Sequence, residues 1–159
     1  MNRRTLLARL AGVCTGAAVP IAIPTARAAD PDRIEKTPEE WRKILTPEQF
    51  YVLRDEGTER AFTSPLNAEK RKGTFVCAGC ALPLFKSETK FESGTGWPSF
   101  YAPISGAVGT KVDYKIIVAR TEYHCRRCGG HQGHVFDDGP KPTGLRYCNN
   151  GIALRFVPA

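Results

Sequence analysis

The sequence predicts a small, mainly β domain with short helices at its N-terminal end. Three observations carry this. Two Thr-Pro-Glu helix starts, at Thr37-Pro38-Glu39 and Thr46-Pro47-Glu48, stand close together near the front of the chain. After Gly57, helical periodicity gives way to short β-like runs separated by Gly and Pro. Two Cys-x-x-Cys pairs, Cys77/Cys80 and Cys125/Cys128, can tie distant parts of the chain together. Many short strands between turn residues make a sandwich or folded-over antiparallel sheet.

Residues 1–28 are set apart from this domain. They contain no Asp or Glu, start on Arg3-Arg4, run apolar from Leu6 to Ile23 and end on Ala26-Arg27-Ala28. That is the layout of a secretory signal. Arg3-Arg4 ahead of Leu6-Leu7 resembles a twin-arginine signal. Arg9, Thr15 and Pro20 interrupt the apolar run and argue against a permanent transmembrane helix. Bulky Val13 argues against lipid attachment at Cys14. The expected location is outside the cytoplasm, in the periplasm of a bacterium, with no stable membrane association after cleavage. The chain of 159 residues carries a net charge of +7, but four of its 23 basic residues lie in the signal, leaving 19 against 16 acidic ones. A remaining charge of +3 gives little reason to expect a nucleic-acid partner. The 131 residues after the signal suffice for one domain, and one of that size gains from a staple.

Residues 29–36 are a polar lead, expected to be flexible, and 37–159 form the domain. Thr37 caps a helix, Pro38 opens it and Glu40 can reach back, which predicts a helix over 38–45. The same device at Thr46 predicts a second over 47–55, with Phe50 and Leu53 spaced to pack inward. The clearest β-like runs are Thr74–Val76, Lys115–Ala119 and Ile152–Phe156.

Each Cys-x-x-Cys pair can form a tight knuckle that presents two thiolates to one metal. Two knuckles complete a closed tetrahedral zinc site. The 44 residues between Cys80 and Cys125 exceed what a compact zinc ribbon needs. Two disulfides are the alternative that export permits. A redox Cys-x-x-Cys is another, but it expects a βαβ context absent here. His124, beside Cys125, is expected at the surface.

Cys148 is left over, and a lone cysteine in an exported protein suggests a reactive thiol or an intermolecular bridge. If Arg146–Phe156 is extended, Arg146, Cys148 and Asn150 share a face that Ile152, Leu154 and Phe156 continue. Arg146 is then expected to lower the thiol pKa. A buried structural cysteine is the plainer alternative. His131 and His134 stand three apart in Gly129-Gly130-His131-Gln132-Gly133-His134, which reads as a glycine-rich turn. Imidazoles there can move a proton near neutral pH. Trp97, among turn residues 94–100, can wall an apolar pocket, although such a Trp more often belongs to the core.

Together these pieces resemble one family, the B-type peptide-methionine (R)-S-oxide reductases. The motifs are Leu45-Thr46-Pro47-Glu48-Gln49, Gly57-Thr58-Glu59-Arg60-Ala61-Phe62, Gly96-Trp97-Pro98-Ser99-Phe100, Gly133-His134-Val135-Phe136 and Arg146-Tyr147-Cys148, within residues 37–157. The resemblance implies two small antiparallel sheets with short N-terminal helices. It implies one structural zinc per chain at Cys77, Cys80, Cys125 and Cys128. It also implies reduction of free or protein-bound methionine-R-sulfoxide, repairing oxidised proteins: Cys148 attacks the sulfoxide sulfur, His131 and His134 handle the proton, and a sulfenic acid remains on Cys148. Asn150 would orient the site. Trp97 would pack on the substrate methyl, and Asp138 and Arg146 belong to the same pocket. An external thiol, thioredoxin-like or other, would supply electrons.

Three residues depart from the commonest pattern: Gln132 stands where Leu is usual, Gly151 where Ser is usual, and Thr95 where many members carry a resolving cysteine. Two other function classes compete with the enzyme. One is a zinc-stapled module that binds protein or nucleic acid, and the other a thiol–disulfide oxidoreductase using one Cys-x-x-Cys pair.

Overall fold

The computed structural model describes residues 32–115 and 118–159. The expected export signal over residues 1–28, with Arg3-Arg4 and Cys14, lies outside the described residues. Among the described residues, no helix is long and apolar enough to cross a membrane.

The two helices form where the sequence places them. α1 spans Pro38–Ile44 and α2 spans Pro47–Leu53. Each has a complete capping box. Thr37 and Glu40 exchange side-chain-to-backbone hydrogen bonds at one, and Thr46 and Gln49 do so at the other. Both helices end slightly earlier than predicted. Leu45 is already extended ahead of the next cap, and Glu56 takes a positive φ of 56° before Gly57. Phe50 and Leu53 are buried, as their spacing requires, with Val52 and Trp41 beside them. The lead is anchored rather than loose at Ile34, whose N–H donates to the Arg127 carbonyl at 2.7 Å.

Among the described residues, nine strands make two antiparallel sheets. β1 (Gly73–Cys77) is central in the smaller sheet, between β2 (Pro83–Lys86) and β9 (Leu154–Pro158). The larger sheet has six strands in the order β3 (Lys90–Phe91), β4 (Ser99–Phe100), β8 (Arg146–Asn149), β7 (His131–Phe136), β6 (Arg120–Cys125) and β5 (Val108–Asp113). Successive side chains alternate faces along each strand. Phe100, Tyr123 and Tyr147 therefore meet Phe75 and Phe85 of the smaller sheet. Phe85 stacks on Phe100 at 4.2 Å, and Phe75 meets Phe100 edge-on at 4.9 Å. Such pairs add about 0.5–1.5 kcal/mol each beyond their buried area.

Two strand expectations shift. Of the run Lys115–Ala119, residues 116 and 117 lie outside the described residues; Lys115, Val118 and Ala119 fall between β5 and β6 and belong to neither strand, with Asp113 accepting the Lys115 N–H and Val118 exposed. Ile152 and Ala153 belong to a 3₁₀ turn, Gly151–Ala153, and β9 begins only at Leu154.

Candidate active site and cysteine cluster

The two knuckles use one local device. Cys77 ends β1, and the Ala81 N–H returns to its carbonyl at 2.8 Å; Cys125 ends β6, and the Gly129 N–H does the same at 2.8 Å. Ala81 and Gly129 both take the positive φ that this turn requires. The four sulfurs of Cys77, Cys80, Cys125 and Cys128 lie within 4.8 Å of one another. Cys77 and Cys128 are 3.7 Å apart, and Cys80 and Cys125 are 3.5 Å apart. A disulfide needs about 2.05 Å. A tetrahedron with metal–sulfur bonds of about 2.3 Å has edges near 3.8 Å, which these separations match. The four cysteines are thus positioned to bind one metal, and they do so between β1 and β6, one strand from each sheet. His124 is outside the cluster and bonded to Glu122. Trp41 and Leu53 of the helices pack beside Gly79 in the first knuckle.

Cys148 lies in the middle of the larger sheet, on the face away from the aromatic core. His134 of β7 is its direct cross-strand neighbour on one side and Ser99 of β4 on the other. Gly133 permits this approach, since a Cβ there would collide with the Cys148 carbonyl oxygen. A cavity of about 110 Å³ opens over the thiol, bounded by Trp97, Phe136, His134, Arg120 and Asn150. A larger cleft of about 780 Å³ lies between α2, residues 58–66 and the Gly151 turn, but it contains neither Cys148 nor a histidine. It does not host the chemistry.

The expectation that Arg146 lowers the Cys148 pKa is overturned in its net sign. Burial pushes the thiol up, and the Arg146 charge and a hydrogen bond with Thr95 recover only part of that. Arg146 is itself committed to Asp138, with two bonds of 2.8 Å, and it stacks over Phe136 at 4.4 Å. Asp138 thus sits behind Arg146 and outside the cavity wall.

The histidines are not in a turn, as the glycines suggested, but on β7. In a regular strand, residues 131 and 134 face opposite sides. The register shift at Tyr123/His124 places one extra residue on β7 opposite His124. As a result, His131 and His134 come onto the same face, with rings 5.4 Å apart. Gln132 turns the other way and is fully buried, with its amide 3.6 Å from the Cys77 sulfur.

Each histidine has a carboxylate partner that the sequence did not disclose. Asp113 accepts from His134 Nε2 at 2.8 Å and also binds Arg120 at 2.7 Å. Glu122 holds His131 Nδ1 at 2.7 Å and His124 Nδ1 at 3.2 Å. Hydrogen bonds from the Lys115 backbone and from His134 hold Asp113 well below the usual carboxylate range. Burial alone would raise Glu122, but the bonds from His124 and His131 outweigh it and hold it at about 2. Ionised carboxylates cannot donate, so each bonded ring nitrogen carries the proton. His134 keeps Nδ1 free for exchange, while burial lowers its pKa despite Asp113. His131, 2% exposed, stands behind His134, and its Nε2 has no partner.

Asn150 keeps an extended backbone as it opens the 3₁₀ turn, and it lines the same cavity as Cys148. Its side-chain Oδ1 accepts the Glu59 N–H at 2.9 Å, and its side-chain Nδ2 donates to the Gln132 carbonyl at 3.0 Å. Glu59 was also not singled out by sequence. Its carboxylate accepts from Gly151 N and Ile152 N, and its carbonyl accepts from Trp97 Nε1 at 3.2 Å. A Cβ at Gly151 would strike Ser64, so the clamp fits glycine.

Comparison with known proteins agrees with this geometry. The model of the SelR domain family matches residues 45–158. A peptide methionine sulfoxide reductase MsrB of Leptospira interrogans is 55% identical over 124 residues, covering 77% of this chain and 95% of that protein. The protein of the same name from Methanosarcina barkeri is 56% identical over 124 residues, 77% of this chain and 87% of its own length. The one from Pseudomonas putida is 57% identical over 128 residues, 79% and 96%.

Proposed function

Because this chain belongs to the SelR-domain family of B-type peptide methionine sulfoxide reductases, we propose that its methionine-sulfoxide reduction proceeds through a sulfenic acid on Cys148. The enzyme is an oxidoreductase, a peptide-methionine (R)-S-oxide reductase. The observation that carries the mechanism is the placement of Cys148 beside His134 in a small cavity walled by Trp97 and Phe136.

The substrate methyl packs on Trp97, and the sulfoxide oxygen turns toward His134. Neutral His134 takes the thiol proton of Cys148 on Nδ1, while Asp113 balances the charge that forms on the ring. The thiolate attacks the sulfoxide sulfur, and the oxygen is transferred to Cys148 as it receives that proton. Methionine leaves reduced by two electrons, and Cys148 is oxidised by two, to sulfenic acid. Thr95 cannot resolve it, because a hydroxyl does not condense with sulfenic acid to a stable bridge. An external thiol therefore forms a mixed disulfide with Cys148 and releases water. A second thiol frees Cys148 as a disulfide departs. The substrates are free or protein-bound methionine-R-sulfoxide, and a thioredoxin-like protein is one reductant of this chemistry.

Zinc is the metal assigned to the cysteine cluster, since four thiolates leave no open position for substrate. It supplies folding energy and no chemistry. Residues 1–28 direct export, and twin-arginine transport suits a protein that loads zinc before its thiols meet an oxidant. The decisive experiment offers each sulfoxide epimer with a dithiol to the wild-type and Cys148→Ser proteins. Only the R epimer is consumed, and only by the wild type. Equal turnover of the S epimer, or an active Cys148→Ser variant, overturns the proposal.

A further inference from the structure

Gln132 lies between the two histidines of β7, and its side chain leaves by the opposite face, toward the cysteine cluster. It is fully buried. Its Nε2 stands 3.6 Å from the Cys77 sulfur and 3.3 Å from the Gly130 carbonyl oxygen. That carbonyl also accepts the Cys125 N–H at 2.9 Å. One amide group therefore touches both knuckles, at the sulfur that ends β1 and at the turn that follows Cys128. We infer that Gln132 is an outer partner of the metal site: its amide N–H donates to the metal-bound Cys77 thiolate and slows the loss of the metal.

The direction of the bond is set by the partners. A backbone carbonyl and a metal-bound thiolate can only accept, and a glutamine Nε2 carries two protons. Each proton thus has one acceptor. Turning the amide round would set its oxygen against two groups with no proton to give. This orientation carries a cost, because it leaves Oε1 buried without a hydrogen-bond partner among the described residues. Leucine, the usual residue here, fills a similar volume without that cost.

What offsets it is the charge on sulfur. A neutral thiol is a weak acceptor, so a metal-free cluster gives the amide little. A thiolate is a charged acceptor and makes the stronger bond. Four thiolates around one divalent ion leave excess negative charge, and Cys77, Cys125 and Cys128 are buried. Burying such charge is costly unless it is hydrogen-bonded. Outer partners of this kind orient a metal ligand, and losing one costs about 10–100-fold in metal affinity. The Gln132 backbone is held separately, its carbonyl accepting the Asn150 N–H at 2.8 Å and Asn150 Nδ2 at 3.0 Å. Replacing the side chain leaves those bonds in place.

The inference rests on the proposal that the cluster holds zinc. Zinc-loaded full-length wild type, Gln132→Leu and Gln132→Met are mixed with an excess of the chromogenic chelator pyridylazoresorcinol, and zinc transfer is followed by absorbance. Both variants release zinc about tenfold faster than the wild type. Cobalt in place of zinc gives a second readout. Losing the N–H donor raises the sulfur lone pair in energy, so the thiolate-to-cobalt charge-transfer band moves to longer wavelength in both variants. A change confined to packing leaves that band in place. A wild-type release rate, or an unmoved band, in a folded variant overturns the inference. Should neither variant fold, NMR of the cadmium-loaded wild type decides. Scalar coupling between cadmium and a Gln132 side-chain amide proton supports the bond, and its absence overturns it. Elemental analysis separates the two levels. Wild type without zinc defeats the zinc proposal, whereas zinc-containing wild type with unchanged variants defeats only the role of Gln132.

Discussion

His134 lies directly across the β7–β8 ladder from Cys148, and its far nitrogen is held by Asp113 from β5, at the edge of the same sheet. The carboxylate fixes the ring's tautomer and stabilises the imidazolium that forms when the thiol proton is transferred. Asp113→Asn keeps the shape but cannot balance that charge. It is expected to lower kcat/KM for methionine-R-sulfoxide by about 100-fold. Steady-state kinetics with a small dithiol checks this, and wild-type turnover would remove Asp113 from the mechanism.

The pH dependence follows from two groups shifted in opposite directions. Burial raises the Cys148 thiol and lowers His134, so the resting pair is thiol and neutral imidazole rather than an ion pair. Alkylation of Cys148 should therefore climb with pH through and above the ordinary thiol range. A plateau already reached at neutral pH would contradict this. Arg146→Leu removes the partial recovery and moves the climb to still higher pH.

Acid stability should depend on Glu122. Its folded pKa of about 2 lies below the ordinary 4.5, so its contribution is complete above about pH 4.5 and disappears as pH falls toward 2. The shift is equivalent to about 3 kcal/mol. Denaturant unfolding at pH 7 and pH 3 measures it. Glu122→Gln should be less stable at pH 7 and should lose less on acidification. An unchanged pH slope in the variant would rule Glu122 out as the source.

Metal removal should unfold the domain, because the cluster joins β1 to β6 across the two sheets. One zinc per chain is expected by elemental analysis. Cys77→Ser, Cys80→Ser, Cys125→Ser or Cys128→Ser should lose both metal and cooperative unfolding, in keeping with about 10–16 kcal/mol of apparent binding energy for structural zinc. An active, metal-free sample with two disulfides would refute this.

Regeneration can be read in a single turnover with methionine-R-sulfoxide and no reductant. Cys148 should lose its thiol and gain one oxygen, trapped by a sulfenic-acid reagent and seen by intact mass. Loss of two thiols, with a disulfide from Cys148 to Cys77, Cys80, Cys125 or Cys128, would instead show a cluster cysteine recruited as the resolving thiol.

Some of this protein is determined by short-range sequence alone. Both capping boxes form because Thr37/Glu40 and Thr46/Gln49 are three residues apart, within reach of their own first turns. The knuckles form because Cys-x-x-Cys closes locally, and the metal site then needs only that the two pairs meet. Cys148, Trp97 and His134 were legible as chemistry because their types and motif context single them out, and the fold brings them to one cavity. Tertiary structure decided the rest. The bulge that puts His131 and His134 on one face depends on the register of β6, which no spacing in β7 reveals. Asp113, Glu122 and Glu59 act across strands or turns far along the chain, so nothing near the histidines or Asn150 announces them. The sign of the Cys148 shift was decided last of all. Arg146 is two residues away and visible in the sequence, but burial depends on how two sheets close, and here it outweighs the neighbouring charge.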